Sequence, residues 1–247
     1  MREFVKRRPP ATPGSIPDVL GMFIAEVRFY REIAPVIGLR VPACYRAEDG
    51  EDGTLLVLED LSDWTPGADP VAYATILRDM HGRWSGIASR RWPWLRPIGA
   101  GEAEVAALYA DVWPSLSEHP GLSPRVREMG VRLLAGLPAA PQSGPTTLCH
   151  GDASMRNART SDSGEIALLD WEDVTAGYGV DDLAWLLVSS VAPERWDETI
   201  DAYGTSDGLR LAWPYTIQQG LFSLSDDPDG PDADGWCARL AEAARRL

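Results

Sequence analysis

Three oxygen-bearing side chains stand at fixed intervals in the middle of this 247-residue sequence: Asp152, Asn157 five residues later, and Asp170 thirteen beyond that. The first two lie in the run His150-Gly151-Asp152-Ala153-Ser154-Met155-Arg156-Asn157, and the third opens Asp170-Trp171-Glu172. At these spacings a carboxylate, an amide and a second carboxylate suit phosphoryl transfer, in which a base faces the attacking hydroxyl and two oxygen ligands hold a metal ion. Mg²⁺ takes oxygen ligands and keeps several waters, so Asn157 and Asp170 together with phosphate oxygens make a sufficient cage. Asp152 is then expected to accept the hydroxyl proton or to orient that hydroxyl. Asn157 is the only asparagine in the chain, and Lys6 is the only lysine among 23 Lys and Arg residues, so neither is general surface decoration.

These groups need strands and turns to hold them. Thr146-Thr147-Leu148-Cys149 reads as a short strand feeding the first run, and Glu165-Ile166-Ala167-Leu168-Leu169 as a strand delivering Asp170. Ser161-Asp162-Ser163-Gly164 makes the turn between them, so Asp152, Asn157 and Asp170 are expected on one rim. His150 is expected to brace the loop through hydrogen bonds. Val180–Val191 follows as an apolar helix with Asp181 and Asp182 in its first turn, where negative charge favours the helix dipole. Gly177-Tyr178-Gly179 lacks a third glycine and reads as a turn rather than a phosphate cradle.

Residues 1–61 read as a small lobe. Arg2–Lys6 is extended and ends at Arg7-Arg8-Pro9-Pro10, and a loop over Ala11–Pro17 leads to Asp18 as a helix cap. From Val19 to Ala34 the apolar residues Met22, Phe23, Val27, Tyr30, Ile33 and Ala34 keep a helical period. Glu26 falls inside that stripe, where an unpaired carboxylate is costly, and Lys6 is its natural partner. Two strands follow, Ala43–Ala47 and Thr54–Glu59, joined by a turn containing Asp49-Gly50 and Asp52-Gly53. The hinge is placed at Glu59-Asp60-Leu61, whose backbone can meet an adenine edge.

Residues 62–247 are expected to be mainly helical. Asp69-Pro70 caps a helix with the stripe Tyr73, Leu77, Met80 and Trp84, in which His81 reads as a packed helix residue. A connection rich in Trp and Pro, Arg91–Pro97, leads to helices over Glu102–Trp113 and Pro124–Ala135, and ten tryptophans point to aromatic walls in this part.

With 45% hydrophobic residues the chain can bury a good core, and the net charge of −14 argues against a nucleic-acid partner. The charged, proline-rich start does not resemble a signal peptide, and no apolar run approaches the ~18 residues of a membrane span, so no membrane partner and a cytoplasmic protein are expected. Cys44, Cys149 and Cys237 lie far apart without zinc-ligand spacing and read as core thiols. The acidic run Ser225–Gly235 reads as a solvated loop.

Taken in order, Lys6, Glu26, Leu56-Val57-Leu58-Glu59-Asp60-Leu61, His81-Gly82-Arg83-Trp84, the His150–Asn157 loop, Asp170-Trp171-Glu172 and Asp182-Leu183-Ala184 resemble the aminoglycoside phosphotransferase and choline kinase group of small-molecule kinases, over residues 1 to about 191. The resemblance implies an α+β, protein-kinase-like two-lobed fold with a mainly helical C-terminal lobe. It implies transfer of the γ-phosphoryl group of ATP to a hydroxyl of a small molecule. Asp152 would be the base, Asn157 and Asp170 the Mg²⁺ ligands, and Lys6, held by Glu26, the phosphate-binding lysine. Glu59 and Leu61 would sit at the nucleotide, and Asp182 would be a structural brace. Relatives carry two strands and a glycine-bearing loop before the lysine strand, whereas this sequence begins five residues ahead of Lys6, so a truncated N-lobe sheet is expected. Two other readings stand beside this one: a kinase of Ser or Thr in a natural-product precursor peptide, and a nucleotide-free, pseudokinase-like accessory protein or repurposed enzyme.

Overall fold

Proline lacks the N–H that a strand ladder needs, so Pro9-Pro10 ends the first extended run and β1 spans Glu3–Arg8. The computed structural model describes residues 2–97, 99–136 and 144–247. β1 is an outer strand of an antiparallel sheet of order β1-β3-β2, in which β2 is Cys44–Gly50 and the central β3 is Gly53–Glu59. Lys6 stands opposite Leu56, and Gly50 opposite Gly53 closes the β2–β3 hairpin around Glu51-Asp52. Leu55, Leu56 and Leu58 of β3 are buried.

The single helix expected over 19–34 is three pieces. A four-residue α1 (Ile16–Val19) stops at Leu20, Gly21 turns the chain at a φ of 62°, and α2 (Met22–Arg28) begins anew. Phe29–Ile33 then forms one π turn, closed by Ala34 N–H donating to the Phe29 carbonyl at 2.9 Å. The wider turn buries the consecutive rings of Phe29 and Tyr30 together, which a regular 3.6-residue period would place on diverging faces. Asp18 is not the cap: it lies within α1 and accepts from Gly14 N–H at 2.8 Å, while Gly21 precedes α2.

Beyond the first sheet come β4 (Thr65–Pro66), α3 (Pro70–Trp84), α4 (Ala88–Arg91), β5 (Arg96–Pro97), α5 (Glu102–Ser117) and α6 (Pro124–Leu133). They are followed by β6 (Thr147–Cys149), β7 (Ala158–Thr160), β8 (Ile166–Leu168), β9 (Thr175–Gly177), α7 (Gly179–Ser190), α8 (Trp196–Tyr203), α9 (Leu209–Asp226) and α10 (Ala233–Arg245). Asp69 caps α3 as expected, its carboxylate accepting from Val71 and Ala72 N–H at 3.1 Å. Two small sheets, β4-β7-β8 and β5-β9-β6, hold the loops that carry the motif residues. The helices enclose Trp171, Trp196 and Trp213, all buried, and Trp196 stacks on Trp213 at 5.5 Å. The acidic run is a loop only over 227–232; its start ends α9, its end begins α10, and Asp232 pairs with Arg239 at 2.6 Å. Among the described residues, no helix is long and apolar enough to cross a membrane.

Candidate phosphoryl-transfer site

The loop after β6 is anchored from below by Asp182, in the first turn of α7. Its buried carboxylate accepts from the backbone N–H of His150 at 2.7 Å and of Gly151 at 2.9 Å, and lies 3.0 Å from His81 Nε2. Burial pushes the Asp182 carboxyl up, but the His81 hydrogen bond and the charges of His81 and His150, with the Gly151 N–H, outweigh it and hold the group below the usual carboxylate range. His81 is accordingly a packed residue, bonded on its other nitrogen to the Tyr203 hydroxyl at 2.9 Å. Gly151 is required twice over: its φ is +87°, and a Cβ there would strike the Asp173 carbonyl. His150 ties the loop to the strand end that delivers Asp170, its Nε2 meeting the Leu169 carbonyl at 2.9 Å and its ring lying 4.4 Å from that of Trp171.

Asp152 projects from this loop and receives three donors. Trp185 Nε1 donates to Oδ1 at 2.6 Å, Asn157 Nδ2 to Oδ2 at 2.8 Å, and Arg156 to Oδ2 at 3.1 Å. Because the Asn157 amide nitrogen is spent on Asp152, its oxygen is the atom left for a cation.

Lys6 is the centre of the second group. Its Nζ lies 2.7 Å from Glu26 Oε2, 2.7 Å from Asp170 Oδ1 and 3.6 Å from Glu172 Oε2, and Glu172 is also paired with Arg8. Burial lowers the Lys6 pKa, yet the charges of Glu26 and Asp170 outweigh it and hold the ammonium above its ordinary value. Glu26 is pushed up to about 7, chiefly by burial, with Lys6 acting against the rise. Glu172 is raised too, by burial and then by the charge of Asp170. Asp170 takes a left-handed backbone, φ 57°, the only described non-glycine residue to do so. Behind it the Trp171 ring stacks on Phe29 at 4.2 Å and 7°, which joins the helix carrying Glu26 to the loop carrying Asp170.

The residues fit a hard divalent cation. Asn157 and Asp170 border one cleft and offer an amide and a carboxylate oxygen, the hard donors such an ion takes, whereas the oxygens of Glu26, Asp170 and Glu172 that lie within 4.8 Å of one another are grouped around the Lys6 ammonium. The sequence-predicted Lys6, Glu26, Asn157 and Asp170 line one cleft of about 340 Å³, with Glu59, Leu61 and Tyr30 on its wall. The Glu59 carboxylate binds Arg40 at 2.6 and 2.7 Å and the Ala43 N–H at 3.0 Å, so its side chain is structural. Asp152 lines a neighbouring cleft of about 1450 Å³ with Trp185, Tyr178, Tyr215, Gln218 and Asp173, and Arg156 borders both clefts.

Sequence reasoning missed Trp185, Arg156, Arg8 and the part played by Glu172. Trp185 follows Asp182 by three residues on α7, so helical spacing from an assigned residue was the available signal there, and Arg156 lies in the His150–Asn157 loop only four residues after Asp152. The other two were hidden because their contacts are tertiary.

Comparison of the sequence with curated proteins gives no significant match. Solved structures do resemble it. Choline kinase LicA from Streptococcus pneumoniae superposes with a TM-score of 0.58 at 19% identity, covering 99% of this chain and 86% of that one, and a LicA structure in complex with AMP matches with a TM-score of 0.56 at 18% identity. Macrolide 2'-phosphotransferase MphH from Brachybacterium faecium gives 0.52 at 18% identity, covering 96% and 84%, and aminoglycoside phosphotransferase APH(3'')-Id from Streptomyces rimosus gives 0.50 at 17%, covering 98% and 86%. These likenesses bear out the α+β, protein-kinase-like fold. A family model described as "Phosphotransferase enzyme family" matches residues 2–216, and the chain belongs to that family.

Proposed function

We propose that this protein uses MgATP to phosphorylate a hydroxyl of a small molecule. The observation that carries this reading is the position of Lys6, held between Glu26 and Asp170 at 2.7 Å from each in a cleft that also contains Asn157. MgATP, when bound, supplies the phosphoryl group and a divalent charge that offsets its phosphates. Lys6 then binds phosphate oxygens and Glu26 keeps the ammonium in place, while the Asn157 amide oxygen and the Asp170 carboxylate hold the ion. Asp152 faces the larger cleft, where it orients the acceptor hydroxyl and receives its proton. The acceptor oxygen bonds to the γ-phosphorus, the bond to the bridging oxygen breaks, and ADP departs with its electron pair. The LicA complex with AMP supports the use of a nucleotide. The convergence of all these polar groups favours phosphotransfer over a nucleotide-free accessory role, in which they would be free to disperse.

The test is ADP release from MgATP in the presence of an aminoglycoside, choline or a macrolide. Asp152→Asn is expected to lower acceptor-dependent turnover by about 10²–10⁴-fold with the fold intact. Absence of acceptor-dependent turnover, together with no thermal shift on adding MgATP, would overturn the reading.

A further inference from the structure

Most polar side chains buried near the larger cleft have partners. Asp182, His81, His150 and Thr147 bond one another or nearby backbone, and Thr216, one turn from the cleft lining on α9, donates to the Ala212 carbonyl at 3.0 Å. Gln218 does not follow this pattern. It lies on α9, which packs against the α7 helix carrying Asp182 and Trp185, and only 2% of its surface is exposed. Its Oε1 has no hydrogen-bond partner among the described residues, and the residue lines the same cleft as Asp152 and Trp185. Among the buried side-chain atoms of the described residues that lack a partner, it alone borders this cleft.

A buried amide oxygen without a donor costs stability, because the water it gave up on folding is not replaced. Its neighbour Gln219 is only partly buried, and its Nε2 reaches the Tyr215 hydroxyl at 3.4 Å. A leucine or methionine at 218 would fill the same helix position without that cost. Groups left unsatisfied in a free protein are found where a ligand completes them, and sites of this kind trade stability for recognition.

We propose that Gln218 is a specificity-determining residue of the acceptor site. Its amide oxygen accepts a hydrogen bond from an N–H or O–H group of the acceptor, distinct from the hydroxyl that is phosphorylated. The acceptor therefore belongs to the class of molecules with at least two donor groups, one presented to Asp152 and one to α9. This inference rests on the reading of the larger cleft as the acceptor site.

Gln218→Met keeps the length of the side chain and removes the amide. The melting temperature of the ligand-free variant is expected to rise by about 2–4 °C. Its kcat/KM for the aminoglycoside or macrolide that the parent protein uses best is expected to fall about 10-fold or more, with KM for ATP unchanged, whereas preference of the parent protein for choline, which has one hydroxyl and no second donor, would overturn the proposal. Arg210→Met, at an exposed position of α9 outside the cleft lining, is the control and should move neither quantity. An unchanged or lowered melting temperature for Gln218→Met means the amide is already satisfied in the free protein and overturns the proposal. A raised melting temperature with undiminished kcat/KM overturns it as well, since the amide would then be idle toward the acceptor. Absence of turnover by the unmutated protein is a separate failure, that of the phosphotransferase reading itself.

Discussion

The indole N–H of Trp185 donates to Oδ1 of Asp152 at 2.6 Å, and Asn157 donates to the other oxygen at 2.8 Å, so the carboxylate is clamped from two sides by groups on different elements. Rotation of Asp152 would break one bond or the other. Trp185→Phe keeps a ring beside Trp236, now 6.0 Å away, and removes the donor. With Asp152 as proton acceptor, kcat should fall by about 10-fold, the equivalent of one charge-assisted hydrogen bond, while KM for ATP stays fixed. Steady-state kinetics against ATP decides it, and an unaltered kcat would sink the clamp as a source of rate.

Glu26 ties stability to pH. Its carboxyl titrates at about 7 in the fold against an ordinary 4.5, so between those values the folded chain keeps a proton that the unfolded chain has released. Stability from this group is complete below about 4.5 and is lost as pH rises through about 7. Glu172 and Asp173 are raised as well and act in the same direction, so the comparison must be with a variant. In Glu26→Gln the fall in melting temperature across that window should be smaller by about 2–4 °C, measured by a thermal scan at each pH. Parallel curves for the two proteins would contradict the assignment.

At Gly151 any side chain meets two obstacles, a left-handed φ of +87° and the carbonyl of Asp173. Gly151→Ala is expected to cost about 2 kcal/mol in urea denaturation. It should also displace the N–H that Asp182 accepts, and turnover should fall together with stability.

Trp171 is the shared wall of three elements: it stacks on Phe29, lies against His150, and donates from Nε1 to the Leu168 carbonyl at 3.2 Å. Trp171→Ala is expected to destabilise the fold by about 3–5 kcal/mol, as for other buried tryptophans. Because the ring joins the Glu26 helix to the Asp170 loop, the nucleotide-induced thermal shift should shrink as well. A variant that loses stability but keeps the full shift would show that the stack supports only the core.

Much of the site was legible because its logic is local. The spacing from Asp152 to Asn157 places both on one short loop, and a carboxylate at Glu26 inside an apolar stripe demanded the one lysine available. What escaped depends on tertiary contact. The π turn at Phe29–Ile33 accompanies the stacking of Phe29 on a ring far along the chain, which no local periodicity encodes. α9 escaped notice for a different reason: it carries Pro214 in its interior and is apolar on several sides, so neither a clean stripe nor an uninterrupted helical pattern marks it. Glu59 lines the smaller cleft, but its engagement with Arg40 could not be foreseen across the intervening turn.

The left-handed turn of the backbone at Asp170 narrows what can replace it. Glycine, asparagine and aspartate tolerate that conformation best, and of the three only aspartate is charged. Each of the other two is a single-base change away from an aspartate codon. With Asp170 as the proposed metal ligand, mutational drift at this position has an easy route to a silent protein that keeps its shape, and lineages descending from this chain should lose their chemistry here before they lose their architecture.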